Sequence, residues 1–144
     1  MIVRPGGLLL REGALLVMHY RYGGRDRFNL PGGNQEEGES AGAALIREFR
    51  EELSLGIALG PLQFCVETNA GDRAVLHLLF RVEAPDASPH LDPGHSRALG
   101  LRWLQAAEVE TAPLYPGIGP VVAGWLRGES LPSPYLGKVE QTWY

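Results

Sequence analysis

The sequence holds one cysteine, Cys65, in 144 residues. No disulfide can close within the chain, and a reducing compartment is expected. A basic excess is missing too: 13 Lys and Arg stand against 17 Asp and Glu, a net charge of −4. Proteins that grip a nucleic-acid backbone usually show a basic face, so a nucleic-acid polymer is not the expected partner. No stretch approaches the ~20 apolar residues needed to span a membrane. The first residues lack the basic start and apolar run of a secretory leader. Together these absences make the cytoplasm the default location, with no membrane partner. Repeats, low-complexity tracts and linkers are also lacking, so residues 1–144 are expected to form one domain. The composition, 44% apolar and 21% charged, is ordinary for a globular chain.

What the chain does have is concentrated in residues 31–55, which read PGGNQEEGESAGAALIREFREELSL. A Gly pair opens the segment, an acidic loop follows, and a helix begins after Ser40, a suitable N-cap. Ala41, Leu45, Phe49 and Leu53 recur at i+4 and form an apolar stripe for packing on a sheet. Glu48, Glu51 and Glu52, spaced i, i+3, i+4, share one narrow arc of that helix. Three like charges there repel, and a cation among them removes the cost. Carboxylate oxygens with room left for water suit Mg²⁺. Small residues at Ala41 and Ala44 are expected to leave space above the acids. Arg47, four residues before Glu51, is placed to pair with it. The bland alternative is a solvated acidic face, but it leaves Gly32, Gly33 and Glu39 unexplained.

Gly33, five residues, Glu39, seven residues, then Arg47-Glu48-Phe49-Arg50-Glu51-Glu52 and, two residues on, Leu55 resemble the Nudix box. Six fixed positions match, and Phe49 and Leu55 fill its apolar ones. At roughly 6% per residue type, six chance matches have a probability on the order of 10⁻⁷ to 10⁻⁸ per window. One position departs: Ser54 stands where the family has a second Gly. That Gly ends the helix at positive φ, a geometry costing Ser roughly 1 kcal/mol, so the terminus is expected to shift toward Gly56.

Along the remaining chain, residues 2–4 read as a strand stopped by Pro5-Gly6. Residues 8–10 and 14–20 form a hairpin around a turn at 11–13, and 22–26 a loop rich in Gly and Arg. A short strand at 28–30 leads into the Gly turn. Residues 62–68 and 73–82 make a second hairpin. With a three-residue turn at 70–72, Leu62, Phe64 and Val66 oppose Phe80, Leu78 and Leu76 on an apolar face, which leaves Glu67 and His77 together on the other. Residues 84–94 are a loop and 101–104 a strand. Short helices follow near 106–110 and 116–126, the last with Pro116 near its start and Gly128 just past its end. The tail from Pro132 carries Tyr135, Trp143 and Tyr144, suggesting that it docks on a second subunit as a homodimer. Strands mostly in hairpins beside a helix give an α+β fold. The resemblance sharpens this to the Nudix fold, an α/β/α sandwich with a mixed sheet between helices, over essentially the whole chain.

The resemblance implies a hydrolase that splits the pyrophosphate link of a nucleoside diphosphate joined to another group, with Mg²⁺ (or Mn²⁺) and water. Glu48 and Glu52 would be the principal metal ligands, with Glu51 binding directly or through water and the Gly32 carbonyl completing the shell. Glu48, Glu51 and Arg47 form the implied catalytic set, with Arg47 orienting the carboxylates. Gly33 and Glu39 would shape the loop against the helix. The general base stays open between a carboxylate of the box and one from a later loop. Arg27, Asn29, Glu67 and His77 are candidate contacts to the nucleotide, each weighed against a packing or surface role. Nucleoside triphosphates and conjugates such as ADP-ribose are both open as substrates. The alternative from another class is a Nudix-fold module that binds a nucleotide without cutting it.

Overall fold

The computed structural model describes residues 1–85, 88–131 and 133–142. Eight strands and three helices occur among them: β1 (Ile2–Arg11), β2 (Ala14–Tyr22), β3 (Arg25–Asn29), α1 (Ala41–Leu53), β4 (Ala58–Ala70), β5 (Arg73–Glu83), β6 (Gly100–Leu104), α2 (Ala106–Thr111), β7 (Leu114–Tyr115), α3 (Gly119–Leu126) and β8 (Tyr135–Lys138). The strands run in the order β7-β3-β2-β1-β5-β4-β8, with β6 also on β2. β1–β5, β3–β7 and β4–β8 are parallel and the other pairs antiparallel, so the sheet is mixed. Apolar side chains alternate between its faces, as the pleat requires. Leu9, Leu16, Met18 and Val82 pack with Leu45, Phe49 and Leu53 of α1. Leu8, Leu15, Val17, Phe64, Val66 and Leu79 pack with Val109, Val122 and Ala123 of α2 and α3. Helices therefore cover both faces.

One irregularity positions the site. β1 pairs with β2 only at Leu10 and Arg11, and beyond that point the two strands part. The segment after β3 takes the vacated edge: Gly7 N–H donates to the Pro31 carbonyl (2.8 Å), Gly33 N–H to Pro5 (3.3 Å) and Gln35 N–H to Val3 (2.9 Å). β1 runs unbroken through Pro5-Gly6-Gly7, where the sequence pointed to a stop. A Cβ on Gly6 would meet Leu79 at 2.8 Å and one on Gly7 would meet Phe49 at 2.5 Å. These glycines serve close packing, not a turn.

Turns are tighter than their composition suggested. The first hairpin closes on two residues, Glu12 and Gly13, at φ 52° and 79°. The Gly- and Arg-rich stretch is no loop: Gly23 and Gly24, at φ 57° and 75°, join β2 directly to β3, the paired positive φ of a hairpin turn. The second hairpin also closes on two residues, since Ala70 pairs with Arg73, and its register slips by one. Phe64, Val66 and Thr68 thus face inward with Leu79, His77 and Val75, and Glu67 points away from His77 instead of sharing its face. A bulge between Leu62 and Phe64 absorbs the slip, so Leu62 still meets Phe80. The slip buries Thr68 and His77, and each satisfies the other (Oγ1–Nε2 2.8 Å).

Ser54 takes the left-handed conformation itself (φ 52°, ψ 36°), and α1 ends where the family's Gly would end it, not at Gly56. Leu55 N–H reaches the Phe49 carbonyl at 3.2 Å, which closes the turn and buries Leu55. Ala44 is fully buried, so its small size serves packing and does not open space for a ligand. The tail docks on its own sheet through β8 and β4. Trp143 and Tyr144, part of the subunit-docking expectation, lie outside the described residues.

Candidate active site

The Gly turn and α1 are brought together by backbone that no other residue fits. A Cβ on Gly32 would lie 2.2 Å from the Pro5 carbonyl oxygen, and one on Gly33 2.3 Å from the carboxyl carbon of Glu48. Glu48 therefore rests against bare backbone. Ser40 caps the helix by accepting from Ala43 N–H at 3.1 Å.

Arg47 organises the carboxylates around it. Its Nη2 and Nε donate to the two oxygens of Glu39 (2.7 and 3.1 Å), a planar fork that fixes direction as well as distance. Nη1 donates to Glu48 (3.0 Å) and Glu51 (3.2 Å), and Nη2 also reaches the Asn34 carbonyl (3.3 Å). Glu39 accepts in addition from Glu36 N–H (2.8 Å), which ties the acidic loop to the helix. The Arg47 guanidinium holds the Glu39 carboxyl below the usual range. The surrounding carboxylates push the Arg47 pKa further up.

Glu52 has a different environment. Burial first, then its hydrogen bond to Glu48 and the charge of Glu48, push the carboxyl up to about 8. The Arg4 charge and a hydrogen bond with Ser96 act the other way. Glu48 and Glu52 thus meet, while Glu51, with 40% of its side chain exposed, is drawn aside onto Arg47. Among the described residues no three carboxylate, imidazole or thiolate groups converge closely enough to hold a metal by themselves. The shared arc on the helix did not guarantee a shared point, because Arg47 sorts the three acids. What remains is a pair of hard oxygen donors, partly buried and sharing a proton, whose charges would repel once both are ionised. That donor set suits Mg²⁺, which is usually held by one or two carboxylates, with substrate phosphate and water completing its shell.

The candidate nucleotide contacts scatter. Asn29 is buried and aligned with Met18 and Tyr115. Arg27 sits on β3 opposite Tyr20. His77, 1% exposed, has its pKa pulled down to about 3, mainly by burial and secondarily by the Arg4 charge. Its imidazole is therefore neutral, and its ring stands edge-on to Tyr115 at 5.1 Å. Glu67 accepts a hydrogen bond from the Tyr135 hydroxyl at 2.5 Å. Reading the sequence missed Arg4, whose guanidinium lies 5.6 Å from the Tyr115 ring centre and whose charge reaches Glu52. It also missed Ser96 and Tyr20, which stand beside Glu52. No local pattern marks these residues, and only the pairing of β1 with β5, which aligns Arg4 with His77, brings Arg4 into view.

Comparison with known proteins bears on the family and the fold. Residues 3–124 match the family model described as the NUDIX domain. An uncharacterized Nudix hydrolase of Bacillus subtilis (strain 168), YvcI, is 28% identical over 103 residues, 70% of this chain and 65% of that protein. The chain thus spans just under two thirds of that relative. The solution structure of the E. coli ORF135 protein superposes with a TM-score of 0.73 at 22% identity, covering 88% of this chain and 89% of that one. The MutT protein from Methanosarcina mazei Go1 gives 0.74 at 17% identity, covering 88% and 93%. At such identities the structures speak for the fold: an α+β Nudix fold with a mixed sheet and helices.

Proposed function

The chain belongs to the Nudix family, and from that premise we propose that it is a Mg²⁺-dependent hydrolase of the diphosphate link in a nucleoside triphosphate or a nucleotide conjugate such as ADP-ribose. The observation that carries this reading is the Glu48–Glu52 carboxyl pair, seated against Gly33 and steered by the Arg47–Glu39 fork. Glu48 and Glu52 would hold the ion, with the Gly32 carbonyl and Glu51 as further oxygen donors. When bound, the ion would screen the charge on the diphosphate oxygens and lower the pKa of a water.

The chain's own residues supply the rest. Arg47 keeps Glu48 turned toward Glu52 and holds Glu51 at the rim, where it can accept a proton or a water. Arg4, on the far side of Glu52, offers a cation to a substrate phosphate, and Tyr115 and Asn29 lie beyond it for the nucleoside. Arg27 is proposed at the outer edge of that surface. His77 is assigned to shaping it from beneath: a buried neutral imidazole bonded to Thr68 cannot meet phosphate as a charge. Glu67, committed to Tyr135, is the weakest of the proposed contacts. A small nucleotide in a reducing cytoplasm is the proposed setting.

The test is a screen of the common nucleoside triphosphates and ADP-ribose with millimolar Mg²⁺, reading released phosphate and monophosphate. Turnover that Glu52→Gln lowers by at least ~100-fold, the scale at which one group important to the transition state acts, supports the proposal. Turnover by wild type and E52Q alike removes Glu52 from the site. Binding without turnover identifies the chain as a nucleotide-sensing module.

A further inference from the structure

Residues 88–99, which lead into β6, are tied to the end of α1. His90 N–H donates to the Leu53 carbonyl (2.8 Å) and Asp92 N–H to the Glu52 carbonyl (2.9 Å). Carbonyls in the last turn of a helix have no partner within it, and here two are taken up by this segment. It is thereby strapped to the turn of α1 that carries the metal-site acids. Beyond the strap the chain forms a tight turn on Asp92. The Asp92 carbonyl accepts from His95 and Ser96 N–H (3.0 and 2.9 Å), and its Oδ1 accepts from Gly94 N–H (2.8 Å). The other carboxylate oxygen, Oδ2, lies 2.8 Å from Nδ1 of His95. Ser96, next in sequence, hydrogen-bonds Glu52.

An ionised carboxylate only accepts hydrogen bonds, so Nδ1 of neutral His95 carries the proton and Nε2 holds the lone pair. Among the described residues Nε2 makes no hydrogen bond. The imidazole is 53% exposed at its side chain, and the charges of Glu51 and Glu48 reach it from α1. A histidine with its tautomer set by a carboxylate, its second nitrogen open, and its backbone tied to the metal-site helix has the parts of a general base.

We propose that His95, oriented by Asp92, is a catalytic residue of this site and takes the proton from the attacking water. The inference rests on the hydrolase reading above. The water oxygen forms the new bond to phosphorus and its proton passes to Nε2. The P–O bond of the diphosphate bridge breaks, and its electron pair leaves on the departing phosphate. Imidazolium then releases the proton to solvent. Asp92 acts through His95 and is a positioning residue. Among the described residues the charges of Asp92, Glu51 and Glu48 act on the ring, and all three hold its pKa above the ordinary value, Asp92 most, against a smaller opposing effect of burial.

The experiment measures kcat and KM across pH for wild type, His95→Gln and Asp92→Asn, with whichever triphosphate or ADP-ribose the wild type cuts fastest. The Tm is read with and without Mg²⁺. His95→Gln should lower kcat by about 100-fold, within the range for loss of a general base. KM should change little, and the acidic limb of the kcat profile should become shallower, keeping only the step that belongs to the Glu48–Glu52 pair. The Mg²⁺-induced rise in Tm should persist, because His95 is not a metal ligand. Asp92→Asn should retain part of the rate and move the acidic limb to lower pH. Unchanged kcat with an intact acidic limb in H95Q overturns the inference and leaves the hydrolase reading standing. Loss of the Mg²⁺ shift in H95Q overturns it in favour of a metal-binding role. A wild type that cuts none of the nucleotides removes the hydrolase reading, and His95 with it.

Discussion

Acidifying this protein should weaken its fold through one buried imidazole, that of His77. Its side chain is 1% exposed, bonded to Thr68 and edge-on to Tyr115, and burial holds its folded pKa near 3. In the unfolded chain the same group titrates near 6.5. The folded pKa is the lower, so below about 6.5 the unfolded state binds the extra proton and stability falls as pH falls. The contribution is intact above about 6.5 and is lost progressively as pH drops toward about 3. Between pH of about 7.5 and about 5 the integrated loss is about 2 kcal/mol, or roughly 5–8 °C in Tm for a domain of this length. The assay is urea unfolding of wild type and His77→Gln at both pH values. Glutamine retains a polar partner for Thr68 and does not titrate. Other groups contribute alike to both proteins, so the difference of differences isolates His77. The variant should lose about 2 kcal/mol less than wild type over this interval. Parallel pH curves would refute the buried neutral imidazole, and with it the assignment of His77 to shaping the substrate surface from beneath.

Two further outcomes follow from local geometry. Gly33→Ala places a methyl 2.3 Å from the Glu48 carboxyl carbon. It should therefore abolish most of the Mg²⁺-dependent rise in Tm measured by thermal shift, while the ion-free protein melts within a few degrees of wild type; an unchanged metal response would show that Glu48 is not held there. Ser54→Gly relieves a left-handed serine at φ 52° and should be neutral or stabilise by up to about 0.5 kcal/mol, because roughly 1 kcal/mol of relieved strain is offset by about 0.5–1 kcal/mol of added flexibility in the unfolded chain. Clear destabilisation in calorimetry would mean that the serine side chain contributes more than its backbone costs.

The order of residues along one helix is local information, and the chain carried it openly. The i, i+3, i+4 glutamates, the Leu45-Phe49-Leu53 stripe and the Ser40 cap follow from 3.6 residues per turn alone. The two short C-terminal helices were legible from their flanking Pro and Gly, and the β1–β2 and β4–β5 hairpins from apolar runs around turn residues; the β2–β3 hairpin was not. The hairpin register was not legible, because one residue more or less in a turn exchanges the two faces of a strand. That exchange separated Glu67 from His77. The Pro5-Gly6-Gly7 run misled for a related reason. Glycine permits both a turn and a close approach, and the choice belonged to Leu79 and Phe49, distant in sequence.

By itself, then, the sequence determined that a carboxylate-rich helix follows a glycine turn, and hence the family and the class of chemistry proposed here. Only tertiary structure decided which carboxylates meet. Arg47 draws Glu51 and Glu39 to itself and leaves Glu48 against Glu52. The parting of β1 from β2 seats the glycine turn beneath them, and a distant segment carrying Asp92 and His95 is tied to the helix end. Such choices depend on charges and hydrogen bonds between residues far apart along the chain, whose meeting is set by packing rather than by any local period.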